Sequence, residues 1–178
     1  MKDFLTPDYM FATFDEVTPA FLQSIGVRAL LIDIDNTLAP YEEPDPNERV
    51  LAWFAELEKH GIRAALVSNN HAPRVERFTK PLGLIAYPDS GKPSRKTLER
   101  AMRELGVTHT ETAMLGDQIL TDCFAGKHIS LCAIIMPPIK DKTNLFFRFK
   151  RLLERPFIRK YAKQKGYQPW MAFWKIKQ

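Results

Sequence analysis

The chain has 178 residues, of which 45% are hydrophobic, so it can form one folded domain with an extension, and wholesale disorder is excluded. No segment approaches the roughly 20 apolar residues of a membrane-spanning helix, and the acidic N-terminus is not a secretory signal. Cys123 and Cys132 have neither metal-ligand nor disulfide-framework spacing, so we expect two core residues in a cytoplasmic protein.

The net charge of +5 is unevenly distributed along the chain. Residues 1–136 contain 14 Lys/Arg and 19 Asp/Glu, a net charge of −5. Residues 137–178 contain 12 Lys/Arg and 2 Asp/Glu, a net charge of +10. We therefore expect only the C-terminal segment to attract polyanions.

The chain begins with an arm, residues 1–28, in which Thr18 and Pro19 predict the start of one short helix near residues 18–25. The core, residues 29–138, alternates apolar runs with helix-periodic segments. We predict strands at 29–34, 64–67, 84–87, 112–115 and 131–136. We predict helices at 47–61, 72–80, 93–105 and 121–128, with Pro93 opening the third of these. This order predicts an α/β, Rossmann-like three-layer sandwich with a mostly parallel five-stranded sheet.

Residues 139–178 form a basic extension with a predicted amphipathic helix at 143–155 that Pro156 breaks or kinks. The predicted apolar face of this helix consists of Leu145, Phe149, Leu152 and Leu153. The predicted basic face consists of Arg148, Arg151 and Arg155. Aromatic residues near Lys175 and Lys177 follow, as at a lipid interface. Peripheral membrane contact through residues 143–178 is the favoured interpretation. Packing against the core or a second subunit comes next, and nucleic-acid binding is the least favoured.

Polar clusters occur where the predicted strands end, which is where ligands bind in parallel α/β folds. They are Asp33-Ile34-Asp35-Asn36-Thr37 after the first strand, Ser68-Asn69-Asn70 after the second, Lys92-Pro93 before the third core helix, and Gly116-Asp117 with Asp122 after the fourth strand. Phosphoryl transfer needs an anionic nucleophile, a cation and a proton donor. Asp33 and Asp35, just past a strand end, can face one pocket, so that one attacks while the other handles protons.

In type, order and placement these clusters resemble the haloacid dehalogenase-like (HAD) phosphatase superfamily over about residues 27–136. The resemblance implies that Asp33 attacks phosphorus to form an aspartyl-phosphate and that Asp35 is the acid and base. It also implies a Mg²⁺ ion held by an Asp33 oxygen, the Asp35 main-chain carbonyl and Asp117. The implied phosphate-binding residues are Thr37, which also steadies the turn, Ser68, Asn69 and Lys92.

Several alternatives stay open at this point. Lys96 could replace Lys92, although a loop lysine at the helix start is better placed to face the strand ends. Asn70 could be only a helix cap. Asp122 could lie behind the metal ligands, orient Lys92 or merely cap a helix. His71 is the one histidine close to a motif.

The spacing of the motifs predicts an open site. In HAD enzymes a cap domain can be inserted after the first motif or between the second and third. Here one predicted helix and one predicted strand fill most of residues 38–66, and another such pair fills residues 71–91, so neither gap holds a large cap domain. Residues 39–46, with three prolines, are the remaining candidate for a small lid.

The arm adds a closer resemblance, to the YqeG-type subclass IIIA phosphatases, which are similar to phosphatidylglycerophosphate phosphatases. It rests on the segments FDEVTP from Phe14 and LIDIDNTLAP from Leu31. The resemblance implies a phosphomonoester substrate that is presented by a membrane, phosphatidylglycerophosphate above all, and a cytoplasmic enzyme peripheral to the inner face of the membrane. A soluble phosphatase of sugar phosphates or nucleotides is the alternative. An RNA- or protein-binding assembly module with a secondary phosphatase site is a third hypothesis.

Overall fold

The computed structural model describes residues 3–140 and 145–175, with side chains at all of these positions except 145–147. Six strands form one sheet in the order β1-β6-β5-β2-β3-β4, and every neighbouring pair is parallel. The strands are β1 (Tyr9–Met10), β2 (Ala29–Ile32), β3 (Arg63–Val67), β4 (Ile85–Tyr87), β5 (Thr112–Gly116) and β6 (Cys132–Ile135). The α/β sandwich with a parallel sheet is therefore confirmed, whereas the predicted number of five strands is one too low.

The additional strand comes from the arm. Tyr9 and Met10 pair with Ile134 and Ile135, so β1 extends the sheet beyond β6. The Asp8 carboxylate accepts the Ala133 backbone N–H at 2.9 Å, which continues the pairing by one residue. The arm thus contains an edge strand of the sheet. The helix that was predicted near residues 18–25 follows this strand.

Helices cover both faces of the sheet because the strands carry apolar residues on both sides. Leu30 and Ile32 point to one face, against α1, α2 and α3, while Leu31 points to the other. The helices are α1 (Pro19–Ser24), α2 (Glu48–Lys59), α3 (Ala72–Thr79), α4 (Lys96–Leu105), α5 (Phe124–His128) and α6 (Leu145–Lys165). On the face to which Leu31 points, α4 and α5 pack against Met114, and α6 packs against Ala133 and Ile135.

The start of α4 differs from the prediction. Pro93 does not open the helix, because the Ser94 backbone N–H bonds to the Gly91 carbonyl oxygen at 2.8 Å and closes a turn there. The helix begins only at Lys96. Lys92 therefore lies in a loop, four residues before the first helical residue.

The C-terminal helix α6 runs without interruption through Pro156, contrary to the predicted break. Pro156 has no backbone N–H, so the Leu152 carbonyl oxygen, four residues earlier, loses its helical hydrogen bond. Both residues are exposed. Water can therefore satisfy that carbonyl. Within the described residues, no helix is both long and apolar enough to span a bilayer.

The predicted apolar face of α6 is exposed where the structure describes its side chains. The face against the sheet contains Glu154, Ile158 and Tyr161, all buried, and the predicted apolar residues Phe149, Leu152 and Leu153 are between 45% and 59% exposed. Leu145 belongs to the predicted face but its side chain lies outside the described residues. The terminal aromatic residues also differ from the prediction, because Trp174 is buried and donates to Glu154 at 3.4 Å.

Candidate active site

Asp33 lies directly after β2, the strand at the centre of the sheet. Its backbone N–H bonds to the Leu115 carbonyl oxygen at 2.9 Å, so the main chain is still tied to β5 at this point. A tight turn follows, in which Asn36 adopts a positive φ of 66° and donates its N–H to the Ala39 carbonyl oxygen at 2.7 Å. Asparagine tolerates that conformation better than most residues. The turn allows Asp35 to reach the same cleft as Asp33.

The Asp33 carboxylate is held by two donors of the predicted set. Lys92 Nζ donates to Asp33 Oδ1 at 2.7 Å, and Thr37 Oγ1 donates to Asp33 Oδ2 at 3.3 Å. Lys92 Nζ also donates to the Val67 carbonyl oxygen at 2.6 Å and forms an ion pair with Asp122 Oδ1 at 2.8 Å. Lys92 is buried, whereas Lys96 is exposed at the start of α4. The structure thus places Lys92 beside Asp33, and Asp122 orients Lys92.

Asp35 has two partners from the start of α3. Asn70 Nδ2 donates to Asp35 Oδ2 at 3.0 Å, and Arg74 forms an ion pair with Asp35 Oδ1 at 3.3 Å. Asn70 therefore does more than cap a helix, and the cap position of α3 is occupied by His71. Arg74 was absent from the predicted site, since an arginine in a helix has no distinctive spacing. His71 itself contacts Asp89 at 2.6 Å and is not among the residues that line the cleft.

The second motif shapes the loop that carries Lys92. The Asn69 side chain accepts the Lys92 backbone N–H at 2.8 Å and donates to the Lys92 carbonyl oxygen at 2.9 Å. It also accepts from Ser90 Oγ at 2.8 Å. Ser68 is buried and lines the cleft, and its Oγ accepts the Asn70 backbone N–H at 3.0 Å. The Asn69 side chain thus positions Lys92.

Three carboxylates converge at the carboxyl ends of β2 and β5. Ligand oxygens of Asp33, Asp117 and Asp122 lie within 4.8 Å of one another, and all three residues are buried. Asp117 Oδ1 is buried and has no hydrogen-bond partner. A buried acceptor without a partner is costly, and hard divalent cations prefer such oxygens. These residues therefore fit a divalent cation, although Asp122 stands where the predicted ligand set had the Asp35 main-chain carbonyl.

The packing around Asp122 depends on a glycine. A Cβ atom added to Gly116 would lie 2.4 Å from Asp122 Cγ, so no other residue fits there without displacing Asp122. The Asp122 carboxylate also accepts the Gln118 backbone N–H at 3.1 Å, inside the loop after β5. In the Gly-Asp pair of the fourth motif, Asp117 is thus a candidate cation ligand and Gly116 leaves the space that Asp122 needs.

Burial and crowding change the charge state of this group. Burial raises the pKa of Asp33 to about 8, with Lys92 opposing the rise and Asp122 and Asp117 adding to it. Burial likewise raises the pKa of Asp117 to about 6, against the effect of Arg151. Burial alone would lower the pKa of Lys92, but Asp122 and Asp33 raise it above the ordinary value. Burial therefore disfavours the charged forms of Asp33 and Asp117 when no cation is bound beside them.

The C-terminal helix contributes Arg151, which belongs to its predicted basic face. Arg151 donates to Asp117 Oδ2 at 2.5 Å, to the Asp117 carbonyl oxygen at 2.8 Å and to Glu154 at 2.8 Å. Glu154 in turn accepts the Ile119 backbone N–H at 3.0 Å. The signal in the sequence was Glu154, since a glutamate inside so basic a segment indicates a specific cationic partner.

The cleft is open, with a volume of about 320 Å³. The residues between the motifs are taken up by α2 and β3 and by α3 and β4, so no cap domain covers the cleft in the part of the chain that the structure describes. Residues 39–46 contribute Tyr41 to the cleft wall, and this loop is held through Asp45, which accepts from Arg77 Nη2 at 2.7 Å.

Comparisons with known proteins agree with this geometry. The model of the haloacid dehalogenase-like hydrolases matches residues 6–129. The chain is 32% identical to "Probable phosphatase YqeG" of Bacillus subtilis (strain 168) over 170 residues, which cover 96% of this chain and 98% of that protein.

Two solved structures share the fold. A protein of Legionella pneumophila, assigned to the HAD subfamily III A hydrolases, is 18% identical with a TM-score of 0.51, over 67% of this chain and 70% of its own. The cobalt-bound deoxy-D-mannose-octulosonate 8-phosphate phosphatase of Haemophilus influenzae is 15% identical with a TM-score of 0.50, and the match covers 83% of this chain and 96% of that protein. By the family model and the 32% identity, the chain belongs to the haloacid dehalogenase-like hydrolase family, as a phosphatase of the YqeG type.

Proposed function

We propose that the chain hydrolyses phosphomonoesters through a phosphoenzyme intermediate on Asp33. In this reaction an Asp33 oxygen bonds to phosphorus as the bond to the leaving alkoxide breaks, and Asp35 gives that alkoxide a proton. Asp35 then takes a proton from the water that hydrolyses the aspartyl-phosphate. The observation that carries this proposal is the pair of carboxylates in one cleft, with Lys92 on Asp33 and with Asn70 and Arg74 on Asp35.

The different partners of the two carboxylates support their different roles. Lys92 neutralises the nucleophile, so that a phosphate dianion can approach Asp33. Asn70 and Arg74 fix the Asp35 side chain, which can then reach the leaving group from one direction. Ser68 and Asn69 line the same cleft, which supports assigning the Ser68 side chain and the Asn69 backbone to the remaining phosphate oxygens.

We further propose Mg²⁺ as the cation, held by Asp33, the Asp35 main-chain carbonyl and Asp117. The unpartnered Asp117 Oδ1 supports this assignment, and Asp122 is a neighbour that holds Lys92. When bound, the ion supplies positive charge against the phosphate oxygens. The all-oxygen environment favours Mg²⁺ over metals that prefer nitrogen or sulfur ligands.

For the substrate, we propose a phosphomonoester at a membrane surface, of which phosphatidylglycerophosphate is the example. Two features support this. No cap lies over the cleft among residues 3–140 and 145–175, so a large substrate or a membrane can approach it. On α6, beside the cleft, Phe149, Leu152 and Leu153 are exposed, and Arg148 and Arg159 are exposed on the same helix. Apolar side chains flanked by cations suit an anionic lipid surface at the cytoplasmic face of a membrane.

A comparison of substrates tests this proposal. Purified protein with Mg²⁺ is given phosphatidylglycerophosphate in anionic vesicles and, separately, a set of soluble sugar phosphates and nucleotides, and released phosphate is measured. We expect kcat/KM to be highest for the lipid. Equal or faster turnover of a soluble ester would contradict the lipid assignment while leaving the phosphatase chemistry intact. RNA binding that survives without vesicle binding would favour an assembly role.

A further inference from the structure

One wall of the catalytic cleft is formed by a lysine that the proposed chemistry does not use. Lys150, in the first part of α6, lines the cleft together with Gln118 and Thr121. It is partly buried, and Lys92 is the other lysine of the lining. The cleft therefore contains a second cationic group, separate from the one that holds the nucleophile.

The two lysines differ in how their protons are used. A lysine ammonium has three N–H donors. Lys92 uses them on Asp33, Val67 and Asp122. Lys150 Nζ donates to Gln118 Oε1, a neutral acceptor, and among the described residues no carboxylate lies within ion-pair distance of it. Lys150 thus keeps donors for a group that the protein does not supply.

Lys150 is not needed to attach α6 to the active-site loop. That attachment is made by Arg151, which holds Asp117, and by Glu154, which accepts the Ile119 backbone N–H. A partly buried ammonium loses hydration, and this burial lowers the pKa of Lys150 while Asp122, Glu154 and Asp117 oppose the change. A position that costs hydration and carries no structural bond to a charged group suggests a ligand contact.

We propose that Lys150 binds a second anionic group of the substrate, apart from the phosphate that is transferred. This inference rests on the proposed phosphatase function and narrows its substrate class to phosphomonoesters that carry a second phosphate, as a phosphodiester or as another monoester. Lys150 is a specificity-determining residue in this account, because Lys92 already neutralises the transferred phosphate. The headgroup of phosphatidylglycerophosphate has such a phosphodiester, and a soluble diphosphate ester would satisfy the same chemistry.

The test compares two soluble substrates that differ in the second anion. One is glycerol 3-phosphate, and the other is glycerophosphoglycerol phosphate, which has the same monoester and an added phosphodiester. The full chain with Mg²⁺ is assayed as wild type, Lys150→Met and Lys150→Arg, with Lys163→Met as the control, an exposed lysine later in the same helix. We expect Lys150→Met to raise KM for the two-phosphate substrate about tenfold and that for glycerol 3-phosphate less than threefold, since one charge-assisted contact is lost.

The conservative change should restore the preference, because Lys150→Arg keeps the charge. An equal rise of KM for both substrates, or no rise for either, would overturn the proposal. Binding of the two probes to Asp33→Asn protein, measured by calorimetry, gives the same comparison without turnover. If the wild type hydrolyses neither substrate, the proposed function fails. In that case a binding preference for the two-phosphate probe that Lys150→Met abolishes would still support the anion site, and equal binding would refute it.

Discussion

Arg151 stabilises the metal-free site, and replacing it by glutamine should reveal how much of the protein's stability depends on the charge at Asp117. In the structure Arg151 donates to Asp117 Oδ2 and to the Asp117 carbonyl oxygen, while Oδ1 has no partner. The variant Arg151→Gln removes the positive charge but keeps a polar side chain. Asp117 then becomes a buried carboxylate without a cation.

The size of the effect depends on pH. Breaking a buried ion pair by removing one partner costs about 3–5 kcal/mol. Asp117 can reduce this cost by taking up a proton, and burial already raises the pKa of Asp117 to about 6 in the presence of Arg151. Without Arg151 this pKa rises further, so the carboxyl is protonated near neutral pH. Between the wild-type pKa of about 6 and the higher pKa in the variant, only the variant still binds this proton when folded, so each pH unit adds about 1.4 kcal/mol to its loss of stability relative to wild type.

Urea unfolding at pH 6, 7 and 8, with EDTA or with Mg²⁺, measures this effect. We expect a loss of unfolding free energy in EDTA that increases from pH 6 to pH 8, and a much smaller loss in saturating Mg²⁺, because the ion replaces the missing charge. Arg159→Gln, at an exposed position of the same helix, is the matched control and should change little. The same loss with and without Mg²⁺, or a loss that is independent of pH, would refute the reasoning.

Three further changes test other parts of the site. Gly116→Ala should lower kcat about 100-fold, because the new Cβ would lie 2.4 Å from Asp122 Cγ and displace the carboxylate that orients Lys92. A kcat within threefold of the wild-type value would contradict this. The metal-free protein should lose stability as the pH rises towards about 8, because the raised pKa of Asp33 lets the folded state keep a proton that the unfolded state has released. In melting experiments, Asp33→Asn should flatten this dependence of stability on pH. Replacing Phe149 and Leu152 by serine should weaken binding to anionic vesicles about tenfold or more, since each buried apolar side chain contributes about 1.5–3 kcal/mol, and unchanged sedimentation with vesicles would exclude this face as the lipid contact.

The core of the fold could be predicted because its signals are local. Apolar runs such as 29–34 and helix caps such as Asn47, whose side chain accepts the Val50 N–H at 3.1 Å, depend on a few neighbouring residues. The strand Tyr9–Met10 could not be predicted, since two residues are too short for a periodic pattern. Its pairing depends on the exposed edge of β6, which exists only in the folded sheet.

The site shows the same division. Asp33, Lys92 and Asp117 are carried by motifs at strand ends, and parallel strands bring those ends together whatever the rest of the chain does. Arg74 and Arg151 come from helices, and the face that a helix presents to the core depends on tertiary packing. In α6 the apolar residues Phe149, Leu152 and Leu153 are exposed. Glu154 and Arg151 bond to the loop after β5 and thereby determine the rotation of the helix.

The central claim is that Asp33 is the nucleophile of a Mg²⁺-dependent phosphatase. The most direct test is phosphate release by Asp33→Asn, a change that keeps the shape of the side chain and removes its negative charge, with folding checked by circular dichroism. We expect the rate to fall about 1,000-fold or more in saturating Mg²⁺, because the variant lacks the carboxylate that forms the proposed covalent intermediate. Mg²⁺-dependent release within tenfold of the wild-type rate would contradict the account.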